Sequence, residues 1–428
     1  MDDAIPFAPP PCPLPRSAGV ICEFNPFHNG HARLLTAMRE AVGEGGCVLC
    51  LMSGRFVQRG TPALADPYLR ARMALLGGAD LVLELPFPWS CAGAEGFAEA
   101  GVHILRGLGV DILAFGSETG DLPLLRAAAA AMAMPGFRDA CAGLMRNGTG
   151  TTEAFIRTVR DFLEDAQPCS PVPADFPASN DLLAINYLRA LDRQGSGMTP
   201  LILRRQGQPY REDVLRDHDA PSASALRLLI RENPPDRLGD LLAGTMPTPI
   251  LDLLLSAIRA GEAPSRDDAL LPYFHGLFRL SEPGSLRQVA ELSGGLADRM
   301  VRAAREAGRP EDFMEALRTR LYPDARLRRG MLYATAGVRA EDVKSPPTYT
   351  TLLAANATGC RFLRALRRRK NAPVTVVTKP SHAPAGRQNH LATQADALFT
   401  LCLPVPTGAD RLTRQSPYIL SDNERSPS

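Results

Sequence analysis

Four short apolar runs, each followed by a stretch of helical spacing, dictate what the first part of this chain can become. AGVICEF at 18–24, CVLCLMS at 47–53, DLVLELP at 80–86 and DILAFGS at 111–117 read as strands, with helices over about 30–41, 65–76 and 92–108 between them. Parallel strands cannot be joined by tight hairpins; they need a crossover, which a helix supplies. The pattern therefore predicts βαβ units and a doubly wound α/β fold with a parallel sheet. Residues 121–195 carry helical spacing, including a helix opened by Asn180 and Asp181. TPLILRR at 199–205 reads as a fifth strand, and SASALRLLIRE at 222–232 as a helix started by a serine cap. From about 235 to 340 only helical periodicity and prolines appear, whereas APVTVVTKP at 372–380 and DALFTLCLP at 396–404 read as two late strands. Four parts are expected: a disordered extension over 1–17 with six prolines, a sheet domain over 18–234, a helical region over 235–340 and a basic C-terminal region over 341–428.

Composition narrows the chemistry. At 428 residues, 45% of them hydrophobic, the chain can fill a core of two or three domains. Only Lys344, Lys370 and Lys379 are lysines, so the first 343 residues can supply neither a phosphate-loop lysine nor a Schiff base. The net charge is +2, yet residues 315–370 hold thirteen Arg and Lys against four Asp and Glu. The remainder is accordingly acidic, and the polarity favours an anionic partner such as RNA over a merely solvated face. The nine cysteines have no disulfide-framework spacing, and the C-x-x-C at Cys47 and Cys50 lies in an apolar run without a second ligand pair. Reduced core thiols in a cytoplasmic protein are expected, with no bound metal at these positions. No apolar run is long enough for a membrane span, so no membrane partner is expected.

In open α/β sheets ligands bind beyond the carboxyl ends of the strands. At the end of the first strand comes EFNPFHNGH at 23–31: Asn25 and Pro26 form a turn, Asn29 is placed to cap the next helix, and Gly30 allows close backbone approach. His28 and His31 sit at that helix start, where imidazoles, amide donors and the helix dipole converge on an anion. An H-x-x-H metal site would lack a third ligand. GSETGD at 116–121 follows the fourth strand, where Gly116 brings backbone to a nucleotide and Glu118 or Asp121 can reach ribose or metal. The Asn180 amide can read a base edge, bind phosphate or simply cap its helix. Ser222, Ser224 and Arg227 at the start of SASALR make a second phosphate cradle, with Arg204 and Arg205 at the end of the fifth strand. SGRFVQRG at 53–60 puts Arg55, Gln58 and Arg59 on the same edge, as an ordinary polar loop or as contacts to an anionic substrate.

Taken in order, GVICEFNPFHNGH, MSGRFVQRG, DLVLELP, FGSETGD, SND and SASALR resemble the bacterial tRNA(Met) cytidine acetate ligase family, within the HxGH nucleotidyltransferase superfamily. The likeness is strong over 18–232 and fainter to about 380; Arg55 stands where the family usually has asparagine. The resemblance implies a Rossmann-like catalytic domain over 18–234. It also implies an enzyme that makes acetyl-adenylate from ATP and acetate and passes the acetyl group to N4 of the wobble cytidine of elongator tRNA(Met). It places ATP on Ala18, Gly19, Val20, Ile21, Cys22, Glu23, Phe24, Asn25, Pro26, Phe27, His28, Asn29, Gly30 and His31, with Gly116, Asn180 and Arg205. His28 and His31 would stabilise attack on the α-phosphate, Mg²⁺ would bridge phosphate oxygens, and pyrophosphate would leave toward Ser222, Ser224 and Arg227. The tRNA contacts expected are Arg55, Arg59, Arg328, Arg329, Arg367, Arg368, Arg369 and Lys370. Two other readings stay open at this point: an HxGH enzyme that transfers AMP to a small metabolite, and a non-catalytic RNA-binding protein on a nucleotide fold.

Overall fold

The computed structural model describes residues 14–166, 172–205, 221–319, 322–369 and 373–421. Lys370 and most of the proline-rich leader fall outside them. The chain runs β1 (Ser17–Cys22), α1 (Asn29–Val42), β2 (Cys47–Ser53), α2 (Pro67–Leu76), β3 (Leu81–Leu85), α3 (Ala94–Gly107), β4 (Ile112–Ser117), α4 (Leu122–Ala131), α5 (Phe137–Arg146), α6 (Thr151–Ala166), α7 (Ser179–Arg193), β5 (Thr199–Arg204) and α8 (Ala223–Glu232). A helical segment follows: α9 (Leu238–Leu242), α10 (Thr248–Arg259), α11 (Leu271–Leu280), α12 (Pro283–Leu286), α13 (Leu296–Glu306), α14 (Pro310–Leu317), α15 (Asp324–Ala336) and α16 (Ala340–Lys344). The chain then returns to the sheet with β6 (Tyr349–Ala355), α17 (Ala357–Arg367), β7 (Thr375–Val377), α18 (Arg387–Cys402) and β8 (Tyr418–Ile419).

Strand order is β5-β4-β1-β2-β3-β6-β7, with β8 also on β6. The first five strands are parallel, as the crossover pattern requires. β6 joins β3 antiparallel, and β7 and β8 pair along different parts of its outer edge. Because side chains alternate along a strand, each strand feeds two cores. Val20, Val48, Cys50 and Ile112 pack with α1, α2 and the helical segment, while Ile21, Leu49, Leu51 and Leu113 pack with α3, α7 and α17. The order of strands reverses between β1 and β4, so the crevice at their carboxyl ends is the topological switch point.

Two expectations change. Residues 396–404 are not a strand: 396–402 are the last turns of α18 and 403–404 follow it, and the buried Leu391, Ala395, Phe399 and Cys402 follow helical spacing once the window is extended toward Arg387. Conversely YTTLLAA at 349–355, where the sequence pattern predicts no strand, is a fully buried strand. The cysteines at 47 and 50 are buried and unpaired, and burial pushes the Cys47 thiol up. No helix among the described residues is long and apolar enough to cross a membrane.

Candidate active site

β1 ends at Cys22, and Phe24 takes a left-handed backbone (φ 44°) that turns the chain out of the sheet. His28, and not Asn29, is the cap of α1: its Nδ1 accepts the Gly30 N–H at 3.1 Å. The His28 N–H in turn donates to His31 Nδ1 at 3.3 Å, and the two rings stack with centroids 3.8 Å apart. A Cβ at residue 30 would lie 2.9 Å from the His28 ring, so the motif needs glycine there. With both Nδ1 atoms accepting, each imidazole carries its proton on Nε2 and keeps that donor for another partner. Burial, reinforced by the Arg205 charge, lowers His28 to about 3. His31 is held well below its ordinary value by burial, by His28 and by Arg205. Both rings are therefore neutral donors at physiological pH. Asn29 serves elsewhere, with its Nδ2 donating to Gly244 O at 2.6 Å and its N–H to Thr245 O at 3.0 Å, which fastens the turn to the helical segment.

The second cradle opens α8. Ser222 is buried and caps the helix, accepting from Ala225 N at 3.1 Å. Arg227 donates to Ser224 Oγ at 3.0 Å and to the Asn25 carbonyl at 2.6 Å. A guanidinium from residue 227 thus reaches the turn that carries His28, and the two helix starts share one crevice. The end of β4 completes the edge. Gly116 lies beneath the Arg205 stem, where a Cβ would stand 3.3 Å from Arg205 Cγ, and the Arg205 N–H is bound to Ser117 O at 2.9 Å. Asn180 donates from Nδ2 to Glu118 Oε1 at 2.6 Å, and the Asn180 and Asp181 N–H groups each reach the same carboxylate at 3.0 Å. Glu118 is thereby spent on the start of α7, and Asp121 on capping α4. Cys22 is buried, and burial raises its thiol, so it is a packing residue in this state.

A residue that sequence reading missed holds the edge together. The buried Arg70 guanidinium donates to the carbonyls of Glu23 (2.7 Å), Ala65 (3.0 Å), Ser53 (2.9 Å) and Gly54, tying the ends of β1 and β2. The signal available was an arginine between Leu69 and Ala71, flanked by apolar residues on a helix whose other arginine, Arg72, faces solvent. The β2 loop also supports the histidine turn, through Gln58 N to Glu23 Oε1 at 2.9 Å and Leu64 N to Asn25 Oδ1 at 2.6 Å.

The expected RNA contacts separate into three sets. Arg55 is buried between Glu84 and Asp396, so it is a structural ion-pair centre and not a surface contact. Arg59 is exposed and Arg328 partly exposed; the backbone of Arg328 and Arg329 lies against Gly60 on the histidine edge. The Arg329 side chain is only 12% exposed and pairs with Glu291 at 2.8 Å. Arg367, Arg368 and Arg369 are exposed, but Arg369 lies against Gly109, just before β4, on the opposite edge of the sheet.

A reversed strand order with paired helix starts at its crevice defines an HxGH nucleotidyltransferase-type site. The family model described as HIGH Nucleotidyl Transferase matches residues 16–413. The tRNA(Met) cytidine acetate ligase of Acetivibrio thermocellus is 32% identical over 400 residues, which is 91% of this chain and 95% of that protein. That of Syntrophotalea carbinolica is 34% identical, covering 84% of each chain. A crystal structure of Thermotoga maritima TmcAL superposes with a TM-score of 0.82 at 27% identity, over 95% of this chain and 100% of that one. A second, bound with alpha-thio ATP, gives 0.80 at 26% over the same shares. The chain belongs to the HIGH nucleotidyl transferase family, and within it to the tRNA(Met) cytidine acetate ligases.

Proposed function

We propose that this ATP-dependent ligase activates acetate as acetyl-adenylate and transfers the acetyl group to N4 of the wobble cytidine of elongator tRNA(Met). The observation that carries it is the 2.6 Å bond from Arg227 to the Asn25 carbonyl, which makes one crevice of two phosphate cradles far apart in sequence. In this reading Ala18–His31, Gly116, Asn180 and Arg205 hold ATP. An acetate oxygen attacks the α-phosphorus in line, the bond to pyrophosphate breaks, and Ser222, Ser224 and Arg227 receive the leaving group. The Nε2–H donors of His28 and His31 meet charge that builds on the α-phosphate, and as neutral groups they do so without trapping the ground-state anion. The cytidine amine then attacks the acetyl carbon, AMP leaves, and the amine proton passes to solvent. Arg59 and Arg328 flank the histidine edge and meet the anticodon loop, whose bases are already unpaired.

Mg²⁺ does not find a protein cage here. The nearby carboxylates of Glu118 and Asp121 are engaged by N–H groups, and no group of three ligating side chains occurs among the described residues. The ion would be held by phosphate oxygens and water, and it would supply charge neutralisation; the chain's own groups do the rest.

The decisive test is mass spectrometry of tRNA nucleosides after incubation with ATP and isotopic acetate. Labelled N4-acetylcytidine at the wobble position, together with acetate-dependent exchange of pyrophosphate into ATP, is expected. Exchange that ignores acetate but responds to a phosphorylated metabolite would overturn the reading.

A further inference from the structure

A cluster of exposed arginines lies on the edge of the sheet that the histidines do not use. α17 begins at Asn356, whose Nδ2 reaches Asp80 Oδ1 at 2.8 Å just before β3, and its Arg361 acts electrostatically on Cys47 at the start of β2. Beyond its other end, Arg369 and Leu14 both lie against Gly109, between α3 and β4. The helix therefore crosses beneath the amino-terminal ends of the parallel strands. Arg361, Arg364, Arg367, Arg368 and Arg369 are exposed there, as is Arg16 immediately before β1. Two carboxylates at this edge are already engaged: Asp80 pairs with Arg39, and Asp111 accepts from the Ser17 N–H at 2.8 Å and its hydroxyl at 3.1 Å. Among the described residues none of these six arginines has an ion-pair partner.

Six unneutralised guanidinium groups on one face repel one another and favour a polyanion. Their planar forks match phosphate oxygens. A six-residue strand such as β1 separates this edge from the histidines by about 20 Å, so an RNA whose reacting base sits in the crevice meets the patch with a different part of itself. That part is recognised as backbone and not as splayed bases, because stacking platforms are missing. Tyr273 is the one large aromatic side chain exposed among the described residues, and it lies on α11.

We propose that this edge is a second RNA-binding surface, which grips the phosphate backbone of a base-paired arm of the tRNA whose anticodon loop enters the crevice. The proposal rests on the tRNA reading given above. It extends that reading to Arg16, Arg361 and Arg364 and assigns Arg367, Arg368 and Arg369 to an arm remote from the reacting base.

The test is a charge reversal of the outward face of α17, Arg361→Glu with Arg364→Glu and Arg368→Glu. Acetate-dependent pyrophosphate exchange, which involves no RNA, is expected to match the parent and shows that the variant is folded. Retention of full-length tRNA on filters should weaken at least tenfold, and the slope of log affinity against log salt should become shallower by two to three, in keeping with the loss of about three phosphate contacts. A short RNA duplex without a target cytidine should compete with tRNA for the parent and not for the variant. Unchanged tRNA affinity and unchanged salt slope overturn the proposal. If exchange falls, the neutral set Arg361→Gln, Arg364→Gln and Arg368→Gln decides the same question with less repulsion. Filter retention needs no catalysis, so the patch is judged even where the parent transfers no acetyl group, the result that defeats the functional reading instead.

Discussion

His28 and His31 each commit Nδ1 to a backbone N–H, so the proposed reaction would draw on two imidazoles that remain neutral where free histidine would titrate. For His28 the folded value is about 3, against 6.5 for an unperturbed ring, with burial as the leading cause and Arg205 the second. The unfolded chain therefore takes up a proton near 6.5 that the folded chain refuses until about 3, and stability contributed by His28 is lost as pH falls through that window. Between pH 7 and pH 5 that loss amounts to about 2 kcal/mol. Denaturant unfolding at the two pH values should show a smaller loss for His28→Gln than for the parent; equal losses would refute the neutral-ring account. The same variant should lower kcat for exchange about a hundredfold while leaving the fold intact, because it removes a donor needed as charge builds. Arg70 gives a contrasting residue-scale case, since its value lies in geometry and not in charge. Arg70→Lys keeps a cation but cannot bridge four carbonyls, so a loss of about 2–3 kcal/mol and a raised KM for ATP are expected from unfolding curves and exchange kinetics.

Among the elements, the ion-pair centre on the β2 loop links the C-terminal helix to the catalytic edge. Arg55 extends from the loop to Glu84 at the end of β3 and to Asp396 on α18, giving two carboxylates to one guanidinium in a buried place. Burial is the main reason that Asp396 rises to about 7; Arg55 opposes the rise and Glu84 adds to it. Arg55→Ala leaves both carboxylates without a cation and should cost about 3–5 kcal/mol, whereas Asp396→Asn leaves a neutral Arg55–Glu84 pair and should cost much less. Because folded Asp396 retains a proton that the unfolded chain has released, its contribution to stability falls as pH rises from about 4 to 7, and Asp396→Asn should flatten that fall in denaturant titrations. This arrangement also shows where sequence reading stops. The β1 to β5 pattern was legible because each strand is a short apolar run with its crossover helix beside it, and the two cradles because histidine, glycine and serine occur at helix starts. Arg55 read as a surface group because a loop arginine gives no local sign of a partner 341 positions away, at Asp396. β6 was invisible for a related reason. Its buried run YTTLLAA leads through α17 to the parallel β7, but its other neighbour is β3, far back in the sequence and antiparallel, so only the folded chain reveals where it belongs.

Among the described residues the molecule is one sheet with a core on each face, and the strands that complete it, β6 to β8, come late in the chain. β6 registers Leu352–Ala355 against Leu81–Leu83, and Thr350 Oγ1 donates to Glu84 O at 2.6 Å. α17 covers β2 and β3 with Phe362, Leu363 and Leu366, and α18 inserts Phe399 against Phe56 in the other core, ring centroids 6.1 Å apart. The helical segment is fastened through Tyr333 Oη to Pro88 O at 3.0 Å, and the chain beyond it through Trp89 Nε1 to Ser345 O at 2.9 Å. A cut after residue 340 would therefore not release an intact catalytic unit. It would bare the β3 edge as a template for pairing with other chains, uncover apolar side chains on both faces of the sheet and leave Arg55 with one carboxylate. The fragment 1–340 is expected to aggregate or to bind a hydrophobic dye without a cooperative thermal transition, while the full chain melts in a single step that fluorescence and far-ultraviolet dichroism report at the same temperature. A soluble fragment that melts cooperatively and still binds ATP would show instead that the sheet is complete at β3, and that the last strands are an addition to the fold and not part of its closure.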